Sequence, residues 1–135
     1  MIYLLDTNVI SETIRKIPDK KVVNWLKSID SKNFSISVLT LGEIRKGIEK
    51  INEQAKKQKI IQWLEIDLLE QFKTQIIYID ALVADKWGYI SSLQNIPAID
   101  GLIAASALVH NLKLVTRNVK DFKGIRGLEI VNPWE

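Results

Sequence analysis

The stretch Ile2-Tyr3-Leu4-Leu5-Asp6-Thr7-Asn8 joins a short apolar run directly to polar side chains. The apolar residues stand at successive rather than alternate positions, which is typical of a strand buried on both faces of a parallel sheet. The change of character at Asp6 predicts that the strand ends there, at the carboxyl edge of the sheet. Open α/β sheets bind ligands at that edge, so Asp6 is the first candidate for a functional residue.

Four further β-type runs follow along the chain, and segments with helical periodicity separate most of them. The runs are Phe34–Ser37, Ile76–Ile79, Leu112–Thr116 and Leu128–Val131. Strands that alternate with helices predict an α/β fold. We therefore expect a mainly parallel central sheet of about five strands, with helices covering both of its faces.

The helical segments also predict how the chain is organised. Apolar residues recur every three or four positions from Leu41 to Ile51 and again from Ile61 to Phe72, so these segments are expected to pack as a helical hairpin. The polar segment Asn52–Lys59 is interpreted as the connection between them. The segment Gly101–Val109 is rich in Ala and Ser and is expected to lie deep in the fold. No repeat or linker divides the chain, so residues 1–135 are predicted to form a single domain.

The composition limits the chemistry that the chain can perform. It has 135 residues and no cysteine, which excludes disulfides, thiolate metal sites and thiol nucleophiles, leaves oxygen atoms as metal ligands, and suits the cytoplasm. The apolar run Ile2–Leu5 is too short for a signal peptide or a membrane span, so no membrane association is expected. A net charge of +3 weakly favours a polyanionic partner.

Three acidic residues lie near the ends of predicted strands or in the helices that follow, and each has a structural alternative. Asp6 could cap the helix that begins near Asn8. Asp100 interrupts an apolar run of small residues, where an unpaired carboxylate would be costly to bury, and it is either a helix cap or a ligand. Glu43 lies at the edge of an apolar helical stripe, where an exposed surface side chain is the alternative. None of the three is diagnostic alone.

A fourth polar segment, with Thr116, Asn118 and Asp121, follows the fourth predicted strand. By itself it could be ordinary turn chemistry. Together, however, the four segments would converge at one sheet edge and offer the oxygen ligands that Mg²⁺ and Mn²⁺ prefer. Such ions can activate water and neutralise the charge that builds on a phosphodiester. His110 is not needed for this chemistry, and we expect it at the end of a helix.

The order and spacing of these segments resemble the PIN-domain family, in particular the VapC-type toxins of bacterial toxin–antitoxin pairs. The resemblance covers essentially the whole chain. It rests on Leu5–Glu12, the helix with Glu43, Asp100–Ala105, Val115–Asn118 with Asp121 and Phe122, and Asn132–Trp134.

The resemblance implies a three-layer α/β/α domain that cleaves RNA with Mg²⁺ or Mn²⁺. By position, Asp6, Glu43 and Asp100 would form the acidic core, with Thr116 supporting it. Family members often have an aspartate where this chain has Asn118. The fourth ligand would then be either Asn118, through its amide oxygen, or Asp121, and we expect Asn118 to lie closer because it comes directly after the strand.

The same resemblance implies a homodimer and a small antitoxin whose tail lies over the active-site groove. Operator DNA would be contacted mainly through that antitoxin. Basic side chains that could contact RNA phosphates, with ordinary solvated surface charge as the alternative for each, are Lys20, Lys21, Arg45, Lys46, Arg117 and Lys120.

Three other functions compete with this hypothesis. A phosphatase that uses Asp6 as phosphoryl acceptor would need a second aspartate two residues later, where this chain has Asn8. A receiver-like signalling domain could use Asp80, but that fold also pairs acids after the first strand, and Thr7 and Asn8 do not supply them. An inactive PIN domain that serves as an interaction module is the third. The departure at Asn118 favours it, and the three retained acids argue against it.

Overall fold

A central sheet of five parallel strands, in the order β3-β2-β1-β4-β5, organises the chain. The structure is a computed structural model that describes all 135 residues. The strands are β1 (Tyr3–Leu5), β2 (Phe34–Ser37), β3 (Ile76–Ile77), β4 (Lys113–Val115) and β5 (Ile130–Val131). In the centre of the sheet, Leu5 pairs with Ile36 on one side and with Val115 on the other. The predicted α/β fold with a parallel sheet is confirmed.

Four of the strands are shorter than the apolar runs that predicted them. The edge strand β3 shows why, since it pairs with β2 only through Ile36 with Ile76 and Ser37 with Ile77. The second strand ends at Ser37, whose side chain caps the following helix by accepting a hydrogen bond from the backbone N–H of Leu39. Residues 78 and 79 therefore have no neighbouring strand to pair with.

Helices cover both faces of the sheet. They are α1 (Thr7–Thr13), α2 (Lys20–Lys27), α3 (Val38–Ile48), α4 (Gln54–Gln62), α5 (Leu69–Phe72), α6 (Ala81–Leu93), α7 (Ala98–Val109) and α8 (Val119–Phe122), with a π-helical segment at Trp63–Leu68 and a 3₁₀ turn at Ser31–Asn33. No helix is long and apolar enough to cross a membrane.

Two hydrophobic cores lie on opposite faces of the sheet, because successive side chains of a strand point to opposite sides. Leu4 packs in the core that contains Ile103 of α7 and Val83 of α6. Leu5 packs in the other core, which contains Val9 of α1 and Ile44 of α3. The chain thus has the three layers, helix, sheet and helix, that the resemblance implied.

The interpretation of Asn52–Lys59 as a connection between helices is wrong. Helix α4 begins at Gln54 and α3 ends at Ile48, so only residues 49–53 link the two helices. Glutamine, alanine and lysine are good helix formers, and their polarity reflects the position of this helix at the surface, where none of its residues is buried. The predicted packing of the two segments is confirmed, since Ile48 and Leu68 share one core.

The segment Ile61–Phe72, in which the apolar periodicity predicted a helix, is helical but irregular. The buried residues Leu64, Leu68 and Phe72 are spaced by four, which overshoots the 3.6-residue turn of an α-helix. The π-helical segment Trp63–Leu68 has wider turns and keeps these side chains on one face.

Helix α7 approaches α6 very closely at Gly101. A Cβ atom at this position would lie 2.9 Å from Cδ1 of Trp87 and 3.4 Å from Cγ2 of Ile96. Ala104 and Ala105 of the same helix are fully buried. The prediction that Gly101–Val109 lies deep in the fold is confirmed, and the contact with Trp87 fixes the turn that carries Asp100.

Replacing Gly101 by alanine is expected to destabilise the protein by about 1–3 kcal/mol, because the added methyl group overpacks the contact with Trp87. Gly88→Ala on α6 is the matched control, since a Cβ there would meet nothing within 4 Å. Better helix propensity should make that variant more stable by up to about 1 kcal/mol. Urea unfolding of both variants checks this prediction, and equal effects of the two substitutions would contradict it.

Candidate active site

The carboxylate of Asp6 lies at the carboxyl edge of the sheet, directly after β1. Its Oδ1 accepts a hydrogen bond from the backbone N–H of Thr7 (2.8 Å), so it caps α1. Its Oδ2 accepts a second one from the hydroxyl of Thr116 (2.8 Å). The side chain is only 6% exposed. Capping and a place in the acidic site are therefore compatible, since the two oxygens have different partners.

Thr116 is fully buried just after β4 and holds Asp6 from the neighbouring strand. Its hydroxyl oxygen also accepts from the backbone N–H of Asn118 (3.0 Å) and from Nδ2 of Asn8 (3.3 Å). Asn8 in turn accepts a hydrogen bond from the backbone N–H of Arg117 (3.3 Å). These bonds fasten the end of β1 to the loop after β4.

Glu43 is brought to the same edge by Thr7. The hydroxyl of Thr7 donates to Oε1 of Glu43 (2.6 Å) and is also hydrogen-bonded to the buried Thr40, at 3.2 Å between the hydroxyl oxygens. Glu43 is half-buried, so the alternative of a freely exposed surface side chain is wrong. The helix α3 lies across the start of α1, and this crossing brings the two side chains together.

Asp100 is the third residue of α7 and does not cap it, because the helix begins at Ala98 after Pro97. The helix-cap alternative for Asp100 is therefore wrong. A carboxylate in the first turn of a helix is favoured by the helix dipole. Asp100 is half-buried, and its carboxyl group lies close enough to Asp121 and Glu43 for their charges to act on it.

Two of the acidic side chains at this edge have a raised pKa, Asp6 and Asp100. Burial, above all, raises the pKa of Asp6; the hydrogen bonds from Thr116 and Thr7 oppose this, and the charges of Glu43 and Asp100 raise the pKa further. The pKa of Asp100 is likewise raised, first by burial and then by the charges of Asp121 and Glu43. Four carboxyl groups therefore interact at one edge of the sheet.

The remaining candidates take different places around this edge. Asn118 precedes α8 and is exposed; its side chain does not cap the helix. Asp121 is exposed on α8, close enough for its charge to act on Asp100. His110 ends α7, as expected. Asp80 caps α6 by accepting from the backbone N–H of Val83 (3.0 Å), which is a structural role rather than that of a phosphoryl acceptor.

The basic candidates also differ in their surroundings. Arg45 is occupied by ion pairs with Glu65 (2.8 Å) and Glu49 (3.5 Å), which makes it a poor candidate for binding phosphate. The guanidinium of Arg117 lies 5.3 Å from the ring centroid of Trp134. No ion pair is formed by Lys20, Lys21, Lys46 or Lys120.

Three residues of this network were not identified as functional from the sequence, namely Thr7, Asn8 and Thr40. Thr7 and Asn8 were visible only as good helix-capping residues after Asp6. Their actual contacts reach across the sheet, to α3 and to the loop after β4. Thr40 carried one weak signal, since it is a polar residue on the buried side of an amphipathic helix.

The donor set fits a hard divalent cation in its chemistry. All of the candidate ligands are oxygen atoms. Besides burial, the charges of neighbouring carboxyl groups raise the pKa of Asp6 and of Asp100, a repulsion that a bound cation would relieve. No three of the acids lie close enough together to surround one ion directly, and a Mg²⁺ ion usually keeps several waters among its ligands. The site thus supplies carboxylates from three different elements, with Asp6 after β1, Glu43 on α3 and Asp100 on α7.

Fold and site together define the chain as an α/β protein with acidic side chains at the carboxyl edge of its parallel sheet. The PIN domain family model matches residues 3–128, and the chain belongs to that family. It is 36% identical to Toxin FitB of Neisseria gonorrhoeae over 97% of both chains, and 31% identical to Ribonuclease VapC2 of Rickettsia felis over 100% of this chain and 99% of that one.

Solved structures agree with this assignment. The crystal structure of FitAcB from Neisseria gonorrhoeae contains a chain that superposes with a TM-score of 0.92, at 35% identity over 99% of both chains. A chain of VapBC2 from Rickettsia felis, bound to a DNA fragment from their promoter, superposes with a TM-score of 0.79 at 30% identity over 98% of both chains.

The variant Asp100→Asn is expected to be more stable than the wild type in EDTA at neutral pH. A raised pKa means that the folded protein holds this proton more tightly than the unfolded chain, so ionisation of Asp100 lowers the free energy of unfolding as the pH rises. The advantage of the variant should therefore be absent below about pH 3, grow as the wild-type carboxyl ionises, and persist above its pKa.

Urea unfolding in EDTA at several pH values measures this difference. Asp85→Asn, on the exposed side of α6, is the matched control and should show no such growth with pH. A variant Asp100→Asn that loses stability relative to the wild type at neutral pH would show that its charge is compensated in the folded protein.

Proposed function

We propose that the chain is a metal-dependent endoribonuclease and acts as the toxin of a toxin–antitoxin pair. The observation that carries this proposal is the group of interacting carboxyl groups at the sheet edge, with Asp6 held by Thr116 and Glu43 held by Thr7. Membership of the PIN domain family and the similarity to Ribonuclease VapC2 support it. Because the substrate would be RNA, we expect the activity in the cytoplasm.

In this proposal Asp6, Glu43 and Asp100 hold Mg²⁺ or Mn²⁺. The bound ion would supply an activated water and neutralise the charge that builds on the phosphodiester. Thr116 orients one oxygen of Asp6, and the backbone N–H of Thr7 fixes the other. The hydroxyl of Thr7 holds Glu43 at the same edge. These bonds position the carboxylates before any substrate arrives.

Asp6→Asn and Asp100→Asn are expected to abolish metal-dependent cleavage of RNA while leaving the protein folded. Thr116→Val should be impaired less, by roughly 10–100-fold, because it removes a group that orients a ligand rather than the ligand itself. Cleavage of a labelled RNA, measured with Mg²⁺ and with EDTA, checks this order, and circular dichroism checks the fold.

Asp85→Asn is again the control and should cleave normally. Near-normal cleavage by either Asp6→Asn or Asp100→Asn would remove that residue from the mechanism. Cleavage by the wild type that persists in EDTA would contradict the metal-dependent proposal as a whole.

The fourth position of the site is proposed from electrostatics. The sequence favoured Asn118, which follows the strand directly. Asp121, however, lies close enough to Asp100 for its charge to raise the pKa of that residue, whereas Asn118 is neutral and its side chain makes no capping bond. These observations support Asp121 as the fourth acidic group, with Asn118 as a weaker neutral alternative.

Asp121→Asn should therefore raise the Mg²⁺ concentration needed for half-maximal cleavage more than Asn118→Ala does. The reason is that the first change removes a negative charge next to Asp100, and the second removes only a neutral oxygen donor. Mg²⁺ titrations of cleavage with both variants measure this. A normal titration for Asp121→Asn beside an impaired one for Asn118→Ala would assign the position to Asn118.

We also propose a homodimer and a small antitoxin as partners, with operator DNA contacted through the antitoxin. The similar chains described above come from FitAcB and from VapBC2, the latter bound to promoter DNA, and this supports a comparable assembly. Expressed alone, the protein should inhibit growth, and co-expression with the protein from the adjacent small open reading frame should relieve the inhibition and yield a stable complex. A harmless protein that binds no such product would contradict the toxin role and leave the nuclease proposal standing.

A further inference from the structure

A cleft of about 570 Å³ opens beside the acidic edge and runs along α3. Glu43 belongs to both the acidic edge and the cleft, because its carboxylate accepts from Thr7 and its side chain also lines the cleft. On the other side, the wall includes Ile99, the residue before Asp100. One end of the cleft is therefore continuous with the proposed site of cleavage.

The charge in this cleft changes from negative to positive along the helix. Lys46 and Lys50 line it together with Glu43. A spacing of three residues places Lys46 on the same face of α3 as Glu43, and Lys50 lies two residues beyond the end of that helix. Neither lysine forms an ion pair. Arg45, on a different face, is paired with Glu49 and Glu65 and does not line the cleft.

Two of the residues that line the cleft are glycines with free space above them. Gly42 and Gly47 both line it, and a Cβ atom at either position would meet nothing within 4 Å. Each glycine within a helix lowers stability by up to about 1 kcal/mol relative to alanine, and here no packing contact requires it. Because these glycines have no side chain, the cleft beside α3 keeps room for a ligand between the lysines on one side and Ile99 on the other.

A second cleft provides a contrast. It is larger, about 1150 Å³, and is lined by Lys56 and Lys59 of α4, but also by Glu53 and several isoleucines. None of the four acidic groups of the candidate site lines it. The smaller cleft is thus the one that joins unpaired lysines to the acidic edge.

We infer that the cleft along α3 holds the RNA strand next to the bond that is cut, with Lys46 and Lys50 each contacting a phosphate. This inference rests on the proposed ribonuclease activity. A cation that is free of partners and beside an acidic site gives the polyanion a favourable path to that site. The lysines act as positioning residues, because neither Asp6 nor Asp100 lines the cleft in which they lie.

The test compares two charge-matched double variants of the full chain, Lys46→Gln with Lys50→Gln and Lys56→Gln with Lys59→Gln. Cleavage of a fluorescein-labelled single-stranded RNA of mixed sequence is measured with saturating Mg²⁺ at several KCl concentrations. For the first variant we expect KM to rise roughly tenfold or more, with kcat within about twofold of the wild type, because the lysines bind the RNA and do not take part in the cleavage step. The slope of log KM against log KCl concentration should also fall by about 0.7 for each phosphate contact that is lost. The second variant should keep the wild-type KM and slope.

The outcomes separate this inference from the function on which it rests. If the wild type cleaves RNA and the first variant keeps its KM, the cleft is not the RNA path, although the ribonuclease proposal stands. An equal or larger rise in KM for the second variant assigns the path to the other cleft and also overturns the inference. Loss of affinity for the partner protein instead of RNA would make the cleft a peptide site and overturn it as well. A wild type that cleaves no RNA overturns both proposals.

Discussion

The hydrogen bond from the hydroxyl of Thr116 to the carboxylate of Asp6 is the contact on which the rest of the site depends. It joins the ends of β1 and β4 at the carboxyl edge of the sheet, where both residues are buried. A buried carboxylate without such donors would be very costly, and burial already raises the pKa of Asp6. The parallel register makes the bond possible, because Leu5 and Val115, the residues just before them, are direct partners in the sheet. The same register places Ser37 beside them, and from there α3 carries Glu43 back to Thr7.

The site is assembled at the expense of stability. Asp6 and Asp100 both have a raised pKa, so each ionised carboxylate is less favourable in the folded protein than in the unfolded chain. Strained electrostatics of this kind are typical of functional sites, where a cation or substrate relieves them. The packing of α7, through its buried alanines and the tight contact of Gly101 with Trp87, keeps Asp100 at this edge despite the repulsion between the carboxylates. Packing of the surrounding helices therefore holds the acids in place, although their ionisation lowers the free energy of unfolding.

Much of the fold could be predicted from the sequence, since short apolar runs such as the one that forms β1 are typical of strands buried on both faces. The alternation of strands with helices then predicted a parallel sheet, and a parallel sheet places Asp6 at its carboxyl edge. Helix α4 was missed because its surface position removes the apolar periodicity that marks a buried helix. The contacts of Thr7 with Glu43 and of Asn8 with Thr116 could not be foreseen, because they depend on how α3 crosses α1 and on the exact strand register. The choice between Asn118 and Asp121 likewise depends on the short helix α8, whose four residues carry almost no sequence signal.

The central claim is that Asp6, Glu43 and Asp100 together hold a divalent cation at the edge of the sheet. The most direct test is anomalous diffraction from crystals of the protein soaked in Mn²⁺. The account predicts a manganese peak at coordination distance from carboxylate oxygens of Asp6 and Asp100, with Glu43 coordinating it directly or through water, and no such peak in crystals of Asp100→Asn. A peak that is confined to another part of the molecule, or an equal peak at this edge in Asp100→Asn, would contradict it.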